Sequence, residues 1–345
     1  MINFYQYDGV FGLECGAKLN GIQIAYSLYG NPEAKKTIWV CHALSGNSEV
    51  LDWWGGLFDE DRFFKPSEYR IICANVLGGC YGTTGASTSK DPLSFPLITI
   101  KDIVKAHILL ADQLAIEKID LLIGASLGGQ QALEWAVTQA DRISDLILVA
   151  TNAVHSPLGR AFNEAQRLAI EADLTYGLKG GGEFGLKAAR AIAMLSYRSY
   201  EDFQLKQQDG PFKPDGYNGP SYVSYQGEKF VDRFSAASYY TLTKAMDSHD
   251  ILRGRKGSRA EVLSKIRART LVVGIDSDVL FPLDEQRFLA NNIPNAELGL
   301  IESPYGHDAF LIDYKQLESL ISDFLVNEFK SYKPTSLKRE FTFQT

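Results

Sequence analysis

The stretch "IDLLIGASLGGQQALEW", residues 119–135, decides how this chain is read. It opens as an apolar run broken only by Asp120 and closes in a helical pattern. Ser126 stands between, flanked by Gly124 and Gly128. A strand, a tight turn and a helix fit that order. Gly124-Ala125-Ser126-Leu127-Gly128 is a G-x-S-x-G pattern, weak by itself because Gly and Ser are common. A strand before it and a helix after it give the context the motif demands, and make Ser126 a candidate nucleophile. The glycines have a steric reason: a strained turn brings neighbouring elements close, and a Cβ there would clash. The helix start directs free N–H groups at the serine oxygen, and the N–H of Leu127 is placed to bind an oxyanion. The competing reading is a structural turn with a capping serine.

Similar apolar runs recur on both sides of this one. They are "IQIAY" (22–26), "TIWVCHA" (37–43), "RIICANV" (70–76), "DLILVA" (145–150), "TLVVGI" (270–275) and "AELGLIE" (296–302). From residue 37 onward most are continuously apolar, the habit of strands covered on both faces. Helical patterns separate them, such as "TIKDIVKAHILLADQLAI" (99–116), with Thr99 as N-cap, and the amphipathic "YKQLESLISDFLVNEF" (314–329). The expected fold is α/β, a mostly parallel central sheet with helices on both faces. The alternation stops at residue 153 and resumes near 267. Between them "GRAFNEAQRLAIEA", "EFGLKAARAIAMLSY" and "VDRFSAASYYTLTKAMDSHD" read as helices, and residues 209–227, rich in Gly, Pro and Tyr, read as loop. Residues 1–152 and 267–345 are thus the expected core. Residues 153–266 are the expected helical cap or lid, inserted where strands end and a site would lie.

The chain has 345 residues, 45% of them hydrophobic, enough for a large core. Its net charge of -7 argues against nucleic acid as partner, which needs a basic face. "MINFYQYDGVFGLECGAK" has neither the basic nor the apolar segment of a targeting signal, and no segment approaches the roughly 20 apolar residues of a membrane span. The expectation is a cytoplasmic protein that does not engage membranes. The four cysteines, Cys15, Cys41, Cys73 and Cys80, show no zinc-like spacing, so no metal site is expected and free thiols are. The glycine-rich "GGCYGTTGAS" (78–87) lacks the lysine of a phosphate-binding loop. "GLKGGGEFG" (177–185) reads as a mobile cap loop, and Trp53 and Trp54 as packing under the cap.

A serine needs a base and an orienting acid. In a strand–serine–helix architecture the chain order is Ser, then Asp or Glu, then His. His307 in "SPYGHDAFL" follows the last strand, where the base belongs. His249 is a rival inside the inserted segment, and His42 fits the oxyanion loop better. "VVGIDSDVLFP" offers Asp276 and Asp278 as the acid, and periodicity cannot choose between them. The second oxyanion donor belongs in the loop "HALSGNSEV", where the N–H of Leu44 is the candidate.

Taken together, "CHALSGNSEV", "DWWGGLF", "ANVLGGCYGTTGAS", "FPLITIKDIVKA", "GASLGGQQALEWA", "AFNEAQRLAI", "SHDILRGR", "DSDVLFP" and "YGHDAFL" resemble, in order, the homoserine O-acyltransferases. That family is a branch of the α/β-hydrolase superfamily. "NVLGGCYG" and "GHDAFL" weigh most. The resemblance implies an α/β-hydrolase core with a cap, and makes Ser126 the nucleophile, Asp278 the acid and His307 the base. It implies that Arg198, after the second cap helix, and Asp308, beside the base, contact the acceptor amino acid. A zwitterionic acceptor needs a cation for its carboxylate and an anion for its ammonium. The implied reaction moves an acyl group, acetyl before succinyl, from acyl-CoA to the hydroxyl of homoserine, within methionine synthesis. Acyl-CoA is then a co-substrate, with no permanently bound cofactor, and a homodimer through the cap is the family's expectation. The basic "LRGRKGSR" (252–259) either meets coenzyme A phosphates or is a solvated loop, the commoner case. The chain departs from the family with Ala125 and Leu127 around the serine, where Gly and Met are more usual, and with a short segment between Gly85 and Phe95. An esterase or thioesterase, a serine-accepting acyltransferase and a catalytically silent binding protein are the alternatives.

Overall fold

The computed structural model describes residues 2–211 and 214–326. The strands are β1 (Ile2–Gly12), β2 (Lys18–Gly30), β3 (Thr37–Cys41), β4 (Arg70–Ala74), β5 (Ile119–Ala125), β6 (Ile143–Val149), β7 (Arg269–Ile275) and β8 (Ala296–Ile301). They form one eight-stranded sheet in the order β1-β2-β4-β3-β5-β6-β7-β8. From β4 to β8 every neighbouring pair is parallel. β1–β2 and β2–β4 are antiparallel.

Every residue of β3 is buried, and in β5 only Asp120 is not. Asp120 takes the Thr37 N–H at 2.8 Å, which explains an acid in an apolar strand. Alternate residues serve opposite faces. Trp39 and Leu122 pack with helices Ile100–Gln113 and Leu127–Thr138, whereas Val40 and Ile123 pack with Trp54 and helix Tyr314–Val326. Thr99 caps the first of these helices through a capping box with Asp102. The C-terminal helix begins at Tyr314 as expected, and its proposed end at Phe329 lies outside the described residues, as does the rest of 327–345.

β1 escaped the sequence reading. Up to Val10 its residues alternate between exposed and half-buried, and only Phe11 is buried, so it shows no apolar run. A second correction concerns residues 209–227, read as loop. Helix Asn218–Val231 occupies much of that stretch. A Cβ on Gly227 would stand 2.6 Å from the Lys187 carbonyl oxygen, so this glycine serves close helix packing rather than a turn.

Between β6 and β7 the described elements are helices: Pro157–Glu171, Glu183–Tyr197, Tyr200–Lys206, Asn218–Val231, Ala236–Asp247 and Arg259–Leu263. The two ends of this excursion are tied together. His155 N–H donates to the His249 carbonyl at 3.0 Å and Ile251 N–H to the Ala153 carbonyl at 2.9 Å. The basic run after it is committed to carboxylates: Arg253 to Glu14, Arg255 to Glu134 and Arg259 to Asp250. Trp54 does not lie under these helices. It packs on Phe58 and Phe310 and donates its indole N–H to the Phe310 carbonyl at 3.0 Å, behind the segment that carries His307. Cys41 and Cys73 are buried free thiols, while Cys15 is exposed.

Candidate active site

Ser126 sits between β5 and the helix it starts, with φ 56° and ψ -124°. This backbone conformation is unfavourable for a residue with a Cβ, and it is held by its surroundings. Ser126 N–H donates to the Val149 carbonyl on β6 at 3.0 Å, and its carbonyl accepts from the Gln130 N–H and the Thr151 hydroxyl. The flanking glycines are sterically required. A Cβ on Gly128 would stand 2.0 Å from the Cys41 carbonyl oxygen, and one on Gly124 would stand 2.2 Å from the Gly128 carbonyl oxygen. Among the described residues the N–H groups of Leu127 and Leu44 have no acceptor. Two unengaged donors at the helix start and in the loop after β3 are what an oxyanion hole needs.

His42 holds that loop in place. Its Nε2 accepts the Val76 N–H at 3.1 Å, which leaves Nδ1 as the donor to the Ala43 carbonyl at 2.8 Å. Burial lowers its pKa to about 4, so it stays neutral. Asn75 ties down the other end, accepting the Ser48 N–H at 2.8 Å and donating to the Tyr81 carbonyl at 2.8 Å. Sequence reasoning missed Asn75 because it looks like any residue that ends a strand. His249 faces away from this chemistry: its Nε2 meets the Asn152 carbonyl at 2.9 Å, and burial lowers its pKa to about 4.

His307 and Asp278 are paired, with Nδ1 and Oδ2 2.6 Å apart. The other carboxylate oxygen of Asp278 accepts the N–H groups of Leu280 and Phe281 at 2.8 and 2.9 Å. Asp276 has a different task, accepting the Ser303 N–H at 3.0 Å. Burial opposes the imidazolium of His307, but the charge and hydrogen bond of Asp278 outweigh it and the pKa is raised. The imidazole packs flat on Phe281 (5.1 Å between ring centres) and against Phe310 and Tyr197. Ser126, Asp278 and His307 follow β5, β7 and β8, so sheet order brings all three to one edge. Among the described residues no hydrogen bond joins the Ser126 hydroxyl to the imidazole, a contact that in many enzymes tightens only with substrate present.

The two residues expected to hold the acceptor also meet. Arg198 Nε lies 3.0 Å from Asp308 Oδ2, and its Nη1 lies 3.3 Å from Asp202. Burial pushes the Asp308 carboxyl up, against the lowering pull of Arg198 and Arg190. Tyr197, one residue before Arg198, touches the base, so a helix from the excursion reaches the sheet edge.

The α/β hydrolase fold model matches residues 36–314. A homoserine O-acetyltransferase of Cyclobacterium marinum is 45% identical over 332 residues, 93% of this chain and 94% of that one. The chain belongs to the homoserine O-acetyltransferase family. Another member, from Chlorobium chlorochromatii, is 43% identical over 93% of this chain and 94% of its own length. Among solved structures, homoserine O-acetyltransferase from Staphylococcus aureus superposes with a TM-score of 0.82 at 29% identity, over 95% of this chain and 96% of that one. The acetyl esterase MekB superposes equally well, with a TM-score of 0.82 at 25% identity over 94% of this chain and 95% of that one. Membership makes this an enzyme of the acyltransferase class. Among the described residues no helix is long and apolar enough to cross a membrane, and no group of three or more His, Cys, Asp or Glu side chains gathers to hold a metal ion.

Proposed function

We propose that the protein transfers an acyl group, acetyl from acetyl-CoA, to the hydroxyl of L-homoserine by a ping-pong mechanism. The observation that carries this reading is 45% identity, along 93% of the chain, to a homoserine O-acetyltransferase. Ser126 Oγ attacks the thioester carbonyl while His307 Nε2 takes its proton. The N–H groups of Leu127 and Leu44 hold the oxyanion. The thiol leaves with the proton from His307, and the acyl group stays on Ser126. His307 then takes the proton of the homoserine hydroxyl, the new oxygen attacks the acyl-serine, and collapse returns Ser126 with its proton. Asp278 holds Nδ1–H and stabilises the imidazolium. Asp308 and Arg198 orient the acceptor.

Transfer competes with water, and residues 153–266 act as a cap that keeps the site dry. Exposed apolar side chains on that segment, among them Leu174, Phe184 and Leu205, suit a homodimer interface. The reaction belongs in methionine synthesis in the cytoplasm, in line with the family resemblance. The likeness to MekB supports a second reading, ester or thioester hydrolysis by the same three residues. Thiol release from acetyl-CoA, measured with and without homoserine, separates the two. Homoserine raises the rate and becomes acetylated if transfer is correct. An unchanged rate with free acetate as product overturns it.

A further inference from the structure

The two oxyanion donors are held differently. Leu127 N–H starts a helix whose Gly128 abuts the end of β3, where a Cβ would stand 2.0 Å from the Cys41 carbonyl oxygen. Leu44 N–H sits on a loop. Gly46 N–H donates to the Ala43 carbonyl at 2.9 Å, so Leu44 and Ser45 are the corners of a tight turn. The core holds both ends of that loop: Gln131 Nε2 donates to the His42 carbonyl at 3.1 Å, and the Trp53 indole N–H to the Asn47 carbonyl at 3.0 Å. The far corner is held from the helical excursion. Among the described residues the Ser45 carbonyl takes one hydrogen bond, from Arg233 Nη1 at 2.7 Å. Arg233 lies just past helix Asn218–Val231. Its guanidinium is 4.9 Å from the centre of the Phe230 ring, and Nη1 also donates to the Tyr81 hydroxyl at 3.1 Å. Phe230 stacks on Phe234 at 5.0 Å, and Tyr81 meets Phe234 edge-on at 5.8 Å. Tyr81 is carried by the glycine-rich loop after β4, which Asn75 ties down. An aromatic face and a phenol thus orient the guanidinium before it meets the carbonyl, so little freedom is lost in the contact.

We propose that Arg233 is a positioning residue for the oxyanion hole: it grips the Ser45 carbonyl from the excursion, and so aims and polarises the Leu44 N–H. This rests on the serine mechanism above, whether the acyl group goes to homoserine or to water. The Ser45 carbonyl and the Gly46 N–H are two ends of one planar peptide unit, and the Ala43 carbonyl and the Leu44 N–H are two ends of another. The Gly46 to Ala43 hydrogen bond joins the two units. The guanidinium therefore heads two peptides in series, and the last N–H of the series is the oxyanion donor. Hydrogen bonds in a chain strengthen one another, and a cation at the carbonyl end makes the far N–H a better donor. Fixing the head of the series also fixes the direction of its tail, and a donor stabilises an oxyanion only if it points where the charge develops.

The test measures two acyl donors, acetyl-CoA and p-nitrophenyl acetate, on Arg233→Met, which keeps an unbranched stem against Phe230 and removes every N–H. kcat falls by about 10–100-fold with both donors, less than the loss of about 10²–10³ when an oxyanion donor is removed outright, and KM for acetyl-CoA changes by less than about threefold. The midpoint of the His307 titration in the pH profile stays where it is, whereas damage to the triad would move it. Arg233→Lys recovers part of kcat, because an ammonium still reaches the carbonyl but not in the plane of a fork. Circular dichroism reports that each variant is folded. If Arg233→Met does not fold, Arg233→Lys is measured alone, and kcat falls by a smaller, equal factor with both donors. An unchanged kcat in whichever variant folds overturns the proposal. So does a rise in KM confined to acetyl-CoA, with p-nitrophenyl acetate unaffected, which would make Arg233 a contact for the coenzyme A phosphates. Failure of the unaltered enzyme to form an acyl group on Ser126 from either donor would instead overturn the serine mechanism.

Discussion

Asp278→Asn tests the orienting role of the carboxylate through its own hydrogen bonds. One oxygen of Asp278 accepts two backbone N–H groups, and the other accepts His307 Nδ1–H at 2.6 Å. An amide cannot serve both sides with its oxygen. If the oxygen turns to His307, the NH2 group confronts the N–H groups of Leu280 and Phe281 and both lose their acceptor. If the oxygen stays with the backbone, the NH2 group faces Nδ1, which must then accept, and the imidazole proton moves to Nε2. Each buried N–H left unpaired costs about 1–3 kcal/mol, so the second arrangement is favoured by about 2–6 kcal/mol. The imidazole is then in the tautomer that cannot take the serine proton, and the charge that favours the imidazolium is gone as well. The same change in a serine protease costs about 10⁴ in kcat, and a loss of about 10³–10⁴ is expected here. The assay is homoserine-dependent thiol release from acetyl-CoA, with circular dichroism and Tm to show that the fold survives. Asp276→Asn is the comparator: an amide oxygen can still accept from Ser303, and its loss stays under about tenfold. The rise of kcat/KM with pH through the His307 titration lies above the ordinary histidine value in the unaltered enzyme and moves down in Asp278→Asn. A loss below tenfold in Asp278→Asn, or an equal loss in Asp276→Asn, would refute the argument.

Acid should unfold the protein through its buried neutral histidines. Burial lowers His42 and His249 to about 4 and His107 and His155 to about 3, against 6.5 when exposed. Below 6.5 the unfolded chain binds these protons and the folded one does not. Stability is therefore full above that value and falls by about 1.4 kcal/mol per histidine per pH unit. Four such groups remove about 5 kcal/mol per unit, so a total of about 5–15 kcal/mol is exhausted about 1–3 units below 6.5 and the urea-free transition falls between about pH 5.5 and 3.5. A chain still folded at pH 3 by circular dichroism would contradict this. His107→Leu, which removes two buried ring nitrogens without partners between Trp39 and Trp135, should lower that midpoint. Gly128→Ala drives a Cβ into the Cys41 carbonyl and should abolish fluorophosphonate labelling of Ser126; Gly210→Ala, whose Cβ meets nothing within 4 Å, should label normally. Arg255→Met leaves Glu134, 3% exposed, without its cation and should cost about 3–5 kcal/mol, read as a lower urea midpoint.

The sequence by itself determined the strand–serine–helix turn, the parallel core strands and the helical excursion. All three are local patterns: a continuous apolar run, glycines around one serine, and a 3.6-residue period. It also placed a histidine after the last strand. Its periodicity could not choose between Asp276 and Asp278, which stand two residues apart in one turn; the choice of Asp278 came from the family resemblance. Only the folded chain aims one at His307 and the other at Ser303. It gave no sign of β1, whose half-exposed alternation lacks an apolar run. It read residues 218–227, the first part of helix Asn218–Val231, as loop because glycine there serves close packing against a helix far away in sequence. It did not single out Arg233, an arginine in an ordinary helical pattern. Its reach to the Ser45 carbonyl and the approach of Tyr197 to His307 arise only when the excursion settles on the sheet edge. Backbone conformation and periodicity are set by neighbours along the chain. Charge pairing and burial are set by neighbours in space, and those exist only after folding.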